Sequence, residues 1–437
     1  MDPPTPSSEP PKDREQWRFH ELNDPEEWIE DYRPGKLHPV HYGDTFKGAQ
    51  YQVIRKLGYG SFSTVWLAKD KQNHRHVALK IPVAGSTAGQ HELAILQQLS
   101  QSASTHPGRK HITHILDHFQ HIGPNGTHCC MVFDIMGPST ASALFKLRQF
   151  KQDGIELPGG VGPWIYTNRF PLWMAKSILR QALLGIDFLH QNGIAHGDIQ
   201  PGNLLFSLKD LNAIPESQLA WKIKSKPVQR LDGKPDQWAP QYLAQSRSLT
   251  EYVDWSESLM IRISDFGGAF PFSDPPVKSI TPVSLRSPEL VFANIVNKDQ
   301  DLWSLGCLVF EIVTGKALFA VDSFGPDEET DDDHLIQFND ILGPLPSHLL
   351  AQYPRAHIYC NDKGEVTRRY IEELEDDESD SDYPPLPCLE EQFDKAKPPE
   401  MGDEEAQVIK VLLRQMLNYD AAKRPSSGEL LRHPWFN

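Results

Sequence analysis

The sequence predicts an α+β chain in two unequal parts, a small strand-rich part followed by a larger, mainly helical one. Three observations predict it. The stretch YQVIRKLGYGSFSTVWLAKD alternates apolar and polar residues about a glycine turn, which is the pattern of a strand pair. After Gly137 the apolar residues recur at helical spacing instead, most clearly in PLWMAKSILRQALLGIDFLHQNG. A length of 437 residues with 39% hydrophobic composition suits one large two-part domain with tails rather than a single small core.

In chain order, residues 1–20 are too rich in proline and charge to bury a core and are expected to be disordered, and 21–47 form an N-terminal extension. Residues 48–137 hold the strand-rich part. RHVALKIPV reads as a strand, GQHELAILQQLS as a helix with Leu93, Leu96 and Leu99 on one side, and HCCMVFDIMG as a buried strand ending at Gly137. Residues 138–436 hold the helical part, with a long helix stopped at Gly193 and further helices at DQDLWSLGCLVFEIVTG, DHLIQFNDILG and EAQVIKVLLRQML. Two stretches interrupt that part: a polar insertion at 207–258 and an acidic loop at 371–383.

Composition narrows the class. A net charge of −16 argues against general nucleic-acid binding and for soluble behaviour or cationic partners. The five cysteines lack metal-ligand spacing, so a reducing compartment is the natural reading, with Cys129 and Cys130 in a strand or core. No apolar run approaches the ~18 residues of a membrane span, and the polar, proline-rich start is not a secretory signal.

The chemistry-bearing residues fall in a fixed order. Gly58 and Gly60 in LGYGSFSTV let bare backbone N–H groups approach phosphates, although a purely structural hairpin would look the same. Lys80 ends the apolar strand VALK and needs anions, and Glu92 on the next helix can supply one carboxylate. In HGDIQPGN, Asp198 can orient a hydroxyl and take its proton, while Asn203 can hold a metal. Asp265 in ISDFGGAF follows a short apolar strand, a position suited to a Mg2+ ligand. Any one of these acids could be a cap or turn residue. The whole ordered set points to phosphoryl transfer.

This set, with SPE at Ser287–Glu289, DLW at Asp301 and KRP placing Arg424 opposite Glu289, resembles the protein kinases over residues 48–436. HPVHYGDTFKGAQYQVIRKLGYGSFSTVWLAKD, MVFDIMG and DEETDDDHLIQFNDILGPLP resemble the SR-protein kinase (SRPK) family in particular. The resemblance implies a two-lobed protein-kinase fold and transfer of the ATP γ-phosphate to serine or threonine in Arg/Ser-rich splicing-type proteins, with ATP and Mg2+. It implies a catalytic set of Lys80, Glu92, Asp198, Asn203 and Asp265, the last two holding the metal. The implied nucleotide contacts run from Leu57 through Gly58, Tyr59, Gly60, Ser61, Phe62, Ser63 and Thr64 to Val65. They continue with Ala78, Lys80, the hinge residues Asp134 and Met136, and Leu205. His196, Phe266 and Leu96 resemble the family's stacked internal spine. The acids Asp331, Asp332 and Asp333, just before a helix expected to start near His334, are candidates for docking basic substrates. The expected setting is a monomer of the cytoplasm and nucleus that regulates mRNA processing.

Four positions depart from the usual kinase pattern. Gly197 stands in place of an arginine, Gln200 in place of the lysine that steadies the transferring phosphate, and Pro282 and Leu285 in place of a threonine and a tyrosine before SPE. HGDIQPGN also resembles the catalytic loop of aminoglycoside and choline phosphotransferases, which lack the later landmarks. A kinase-like binding protein without efficient transfer is the third alternative, raised by Gln200 and Pro282.

Overall fold

A computed structural model describes residues 5–22, 26–145, 169–321, 327–361, 365–366 and 385–437. The acidic loop expected at 371–383 lies outside the described residues. The chain divides into two compact units, one of residues 1–103, 113–138 and 205–259, the other of 104–112, 139–204 and 260–437.

The first unit is built on a six-stranded antiparallel sheet. Its strands are β1 (Thr45–Phe46), β2 (Tyr51–Gly60), β3 (Ser63–Asp70), β4 (Arg75–Pro82), β5 (Ile115–Gly123) and β6 (Gly126–Phe133), in the order β1-β2-β3-β4-β6-β5. Alternation along the strands puts Val53, Trp66, Ala68, Val77, Leu79, Ile81, Cys130 and Val132 into one core. Both Cys129 and Cys130 are buried on β6, and the five thiols are free. Helix α1 (Thr87–Gln101) starts at Ser86, whose side chain accepts the Gly89 N–H. Its buried face includes Glu92, Ile95, Leu96 and Leu99, so two of the three expected leucines are buried, Leu93 is half-buried, and an acid shares the apolar stripe.

Two departures from the expected layout concern this unit. The stretch 205–259, read from chain order as an interruption of the helical part, packs with the first unit. Leu211, Leu219 and Leu249 cluster with Ile54 and Leu67 of the sheet, and the Arg55 guanidinium donates to the carbonyls of Leu219 (3.1 Å), Arg247 (2.9 Å) and Ser248 (2.5 Å). The tail expected to lack order has a fixed end: Phe19 is buried and bridged to Arg230, and Arg18 pairs with Glu30 and Asp236. Proline and charge dominate the tail's composition, but the aromatic and basic residues at its end find partners in 26–33 and 228–243.

The second unit is mainly helical. Its longer helices are α2 (Leu172–Gln191), α3 (Pro288–Ala293), α4 (Gln300–Thr314), α5 (Asp327–Leu342), α6 (Leu389–Ala396) and α7 (Asp403–Met416). Helix α2 buries Met174, Ile178, Leu179, Ala182, Leu183, Ile186 and Leu189, and the chain leaves it through Gly193 at φ +71°. Among the described residues no helix is long and apolar enough to cross a membrane.

Candidate active site

In the first unit the chemistry gathers around the β2–β3 turn and β4. Gly58 pairs with Val65, Tyr59 with Thr64 and Gly60 with Ser63, which leaves Ser61 and Phe62 at the tip. Neither Gly58 nor Gly60 has positive φ, and a Cβ added to either would meet nothing within 4 Å. Neither backbone strain nor packing among the described residues therefore accounts for these glycines.

Val65 and Lys80 are directly opposed across β3 and β4, so their side chains share a face with Ala78, two residues along. Lys80 Nζ bonds both carboxylate oxygens of Glu92 at 2.7 and 2.8 Å. The sequence placed these two residues 12 apart on a strand and a helix, and the fold brings them into contact. Asp134, Met136 and Leu205 are all half-buried in this unit.

In the second unit a short strand, Ile194–Ala195, leads into His196, Gly197 and Asp198. Asp301 at the start of α4 fixes this turn by accepting the N–H groups of His196 (2.8 Å) and Gly197 (2.9 Å) and the His190 side chain (2.9 Å). Burial works to raise the Asp301 carboxyl, but these bonds and the nearby histidines outweigh it and hold it below the usual range. His196 is fully buried, and burial lowers its pKa. Its ring meets Phe266 edge-on at 5.1 Å, the part of the implied spine that lies within this unit, whereas Leu96 is buried in the first.

Asp198 is buried, and each of its oxygens accepts one amide hydrogen: Oδ1 from Gln200 Nε2 at 2.7 Å and Oδ2 from Asn203 Nδ2 at 2.8 Å. Burial pushes the Asp198 carboxyl up to about 6. The two amides work against that shift, and the Asp265 and Asp301 charges add to it. Asn203 Nδ2 also donates to the Asp198 carbonyl at 2.9 Å, so both amide hydrogens are committed and Oδ1 is the atom left to face a cation.

Ser264 ties Asn203 to the next element by donating its N–H (2.9 Å) and its hydroxyl (3.1 Å) to the Asn203 carbonyl. Asp265 follows at once, in left-handed backbone with φ +63°, before the turn Phe266–Gly268. An acid tolerates that conformation better than most residues, and it turns the carboxylate out of the strand line. One amide oxygen and one carboxylate form a hard oxygen donor set of the kind Mg2+ takes when phosphates and water complete its shell, so the residues present fit that ion.

Two of the departures now have a physical reason. Gly197 has φ +73°, and a Cβ there would lie 2.4 Å from the Gly268 carbonyl oxygen, so this backbone excludes arginine. Beside Pro282, the preceding residue carries the hydroxyl that proline lacks. Thr281 is buried and donates its hydroxyl to the Gly197 carbonyl at 2.8 Å. No motif in the sequence marks Thr281 for this contact. Gln200 is an internal donor to the carboxylate of Asp198 as well as a substitute for lysine. A lysine there keeps a donor for Asp198 and adds charge toward the phosphates. Gln200→Lys is therefore expected to raise kcat up to about tenfold, more than it lowers KM. Steady-state kinetics check this, and an equal or lower kcat would show that the turn depends on a neutral amide.

The acidic segment differs from its expected form. Helix α5 begins at Asp327, not near His334, so Asp331, Asp332 and Asp333 lie inside the helix. Acids in a first turn are stabilised by the helix dipole, which accounts for the early start. Asp332 is buried and unavailable to a substrate. It accepts bonds from Arg355 Nη2 (2.6 Å), Tyr359 Oη (2.8 Å) and Tyr353 Oη (2.5 Å). Burial alone would raise its pKa, but Arg355 and the two tyrosines hold it low. Asp333 accepts from Gln337 at 3.1 Å, and Asp331 is half-buried. Among the described acids of this segment, Glu328 and Glu329 are the most exposed.

The protein kinase domain family matches residues 51–436. With that match the chain belongs to the protein kinase family, within its SRPK group of serine/threonine kinases. It is 31% identical to the serine/threonine-protein kinase SRPK of Physarum polycephalum, over 94% of this chain and 91% of that one. Identity to SKY1 of Saccharomyces cerevisiae is 25%, over 94% and 77% of the two chains, and to human SRSF protein kinase 3 it is 24%, over 93% and 89%. A crystal structure of the kinase domain of PF14_0431 shares the fold, with a TM-score of 0.60 at 22% identity over 91% of this chain and 98% of that one. Protein kinases use ATP and Mg2+.

Proposed function

We propose that the chain transfers the γ-phosphate of Mg-ATP to serine in Arg/Ser-rich protein segments. The observation that carries the chemistry is Asp198, a carboxylate fixed through both oxygens by Gln200 and Asn203. The glycine turn of β2–β3 offers backbone N–H groups to the phosphates, and Lys80, held by Glu92, adds a positive charge. Mg2+, when bound, supplies neutralisation of the phosphate charge, and Asn203 and Asp265 are the residues that would hold it. Asp198 orients the serine hydroxyl and accepts its proton as the new O–P bond forms and the bond from Pγ to the leaving ADP oxygen breaks. Positioning supplies most of the rate.

The substrate class rests on the SRPK relatives, one of them named an SRSF protein kinase, and on the outward acids of α5. Glu328 has 76% of its side chain exposed, and Glu329 and Asp331 lie within the next turn. Guanidinium forks pair bidentately with such carboxylates. Glu328 also lies 3.6 Å from Arg355 Nη1 but stays exposed, whereas Asp332 is buried and is left out of the docking set. Regulation of mRNA processing, action as a monomer and residence in cytoplasm and nucleus are parts of the same proposal.

The test compares an Arg/Ser-repeat peptide with a generic basic protein. The peptide is expected to be preferred and its binding to weaken steeply with salt. Glu328→Ala, Glu329→Ala and Asp331→Ala together are expected to lower its affinity about tenfold at low salt. Equal use of both substrates, with affinity unchanged in the triple variant, would sink the substrate assignment.

A further inference from the structure

Strand β2 carries two buried cations in succession, Arg55 and Lys56, just before the glycine turn. Successive strand residues point to opposite faces. Arg55 is taken up by the carbonyls of the 205–259 stretch, and Lys56, fully buried, meets the N-terminal extension. Its Nζ bonds Glu26 Oε2 at 3.0 Å and the Glu27 carboxylate.

Neither acid is free to drift. Glu26 accepts the Ser246 N–H at 2.7 Å and the Ser246 hydroxyl at 3.3 Å, and Glu27 accepts the hydroxyl of buried Tyr32. On its other side the Lys56 ammonium stands 4.9 Å from the centre of the Tyr59 ring and 5.9 Å from that of Trp66. A desolvated cation this close to an aromatic face is attracted by the ring quadrupole. Burial raises the pKa of the Tyr59 hydroxyl, and the charges of Glu26 and Glu27 raise it further. The ladder is irregular between Lys56 and Gly58, so regular pairing alone does not set the course of the backbone into the turn.

We propose that Glu26 and Glu27, acting through Lys56 and the Tyr59 ring, are positioning residues that set the glycine turn for the nucleotide. The N-terminal extension is thereby part of the nucleotide site without touching the nucleotide. This rests on the reading of the turn as the ATP-phosphate site. The competing account is that the ion cluster only stabilises the unit. Glu30 separates the two accounts, because it pairs with Arg18, Arg33 and the Phe19 N–H, none of which lies on β2.

The experiment uses the full chain and measures the Mg-ATP dissociation constant, kcat at saturating ATP, and Tm. The double variant Glu26→Gln, Glu27→Gln is expected to weaken Mg-ATP binding about threefold to tenfold while kcat stays within about twofold. Glu30→Gln is expected to lower Tm and leave Mg-ATP affinity unchanged. Tyr59→Leu removes the ring and keeps the ion cluster. It is expected to weaken binding similarly, and adding it to the double variant should cause no further loss. It also tests the proposal if the double variant fails to fold. Wild-type affinity in the double variant or in Tyr59→Leu overturns the proposal, as does an equal loss in Glu30→Gln. A wild-type chain that binds no Mg-ATP overturns the nucleotide reading itself and this proposal with it. Wild-type binding with unaltered variants overturns the proposal alone.

Discussion

Asp265→Asn is expected to lower phosphoryl transfer at least about 10³-fold, on the scale of losing a preorganised charge at a reacting phosphate. The fold is expected to persist. Asparagine has the same shape and also tolerates the left-handed backbone that Asp265 adopts at φ +63°, and the Ser264 bonds to the Asn203 carbonyl involve no atom of the Asp265 side chain. Lys80→Met is expected to act similarly in the other unit, because the Lys80 ammonium pairs with Glu92 and serves charge placement rather than packing. Single-turnover assays with thermal melts check both. Retained transfer in Asp265→Asn would remove this residue from the metal-holding role, and a collapsed melt would show that it holds the fold instead.

The largest expected loss of stability comes from Arg424→Met. Arg424 donates to both oxygens of Glu289 at 2.7 Å, to the Asn418 carbonyl at 2.9 Å, and stacks 5.0 Å from the Trp303 ring centre. Its side chain has no exposed surface and that of Glu289 has 9%. Removing the guanidinium leaves a buried carboxylate unpaired, at a cost of about 3–5 kcal/mol. Replacing both partners with apolar residues is expected to recover part of the loss, because no isolated charge then remains. Urea unfolding of the single and double variants measures this. A loss below about 1 kcal/mol would mean that the pair behaves like an exposed one.

The sequence shows clearest where local pattern and chemistry coincide. Alternation about Gly58 and Gly60, a lysine ending an apolar strand, and the short spacing from Asp198 to Asn203 all follow from local spacing, and the structure puts Lys80 on Glu92 and Asn203 on Asp198. What stayed hidden depends on distant partners. Thr281 reaches a carbonyl 84 residues away, and nothing beside it in the chain marks it as an anchor. Asp332 looks like one more acid in an acidic run until Arg355, Tyr353 and Tyr359 fold over it. The stretch 207–258 reads as a polar interruption because much of its attachment to the sheet is made by backbone carbonyls, which no side-chain pattern encodes. Gln200 looks like a lost lysine, and only geometry shows that it still serves Asp198.

The capture of Arg55 also sets an order of events at the ribosome. Its carbonyl partners lie 164 to 193 residues further along the chain. Strand β2 leaves the exit tunnel early, carrying a guanidinium whose eventual site does not yet exist. The sheet can begin to pair, but this unit cannot close until residues near 250 have been made, and by then the stretch 139–204 of the other unit has already emerged. The first unit can therefore close ahead of the second, but only after stretches 104–112 and 139–204 of the second have emerged without the rest of their own unit. Contacts of such long range slow folding and prolong the exposure of unfinished strand edges, so the nascent chain depends on being shielded while its first unit waits for its last segment.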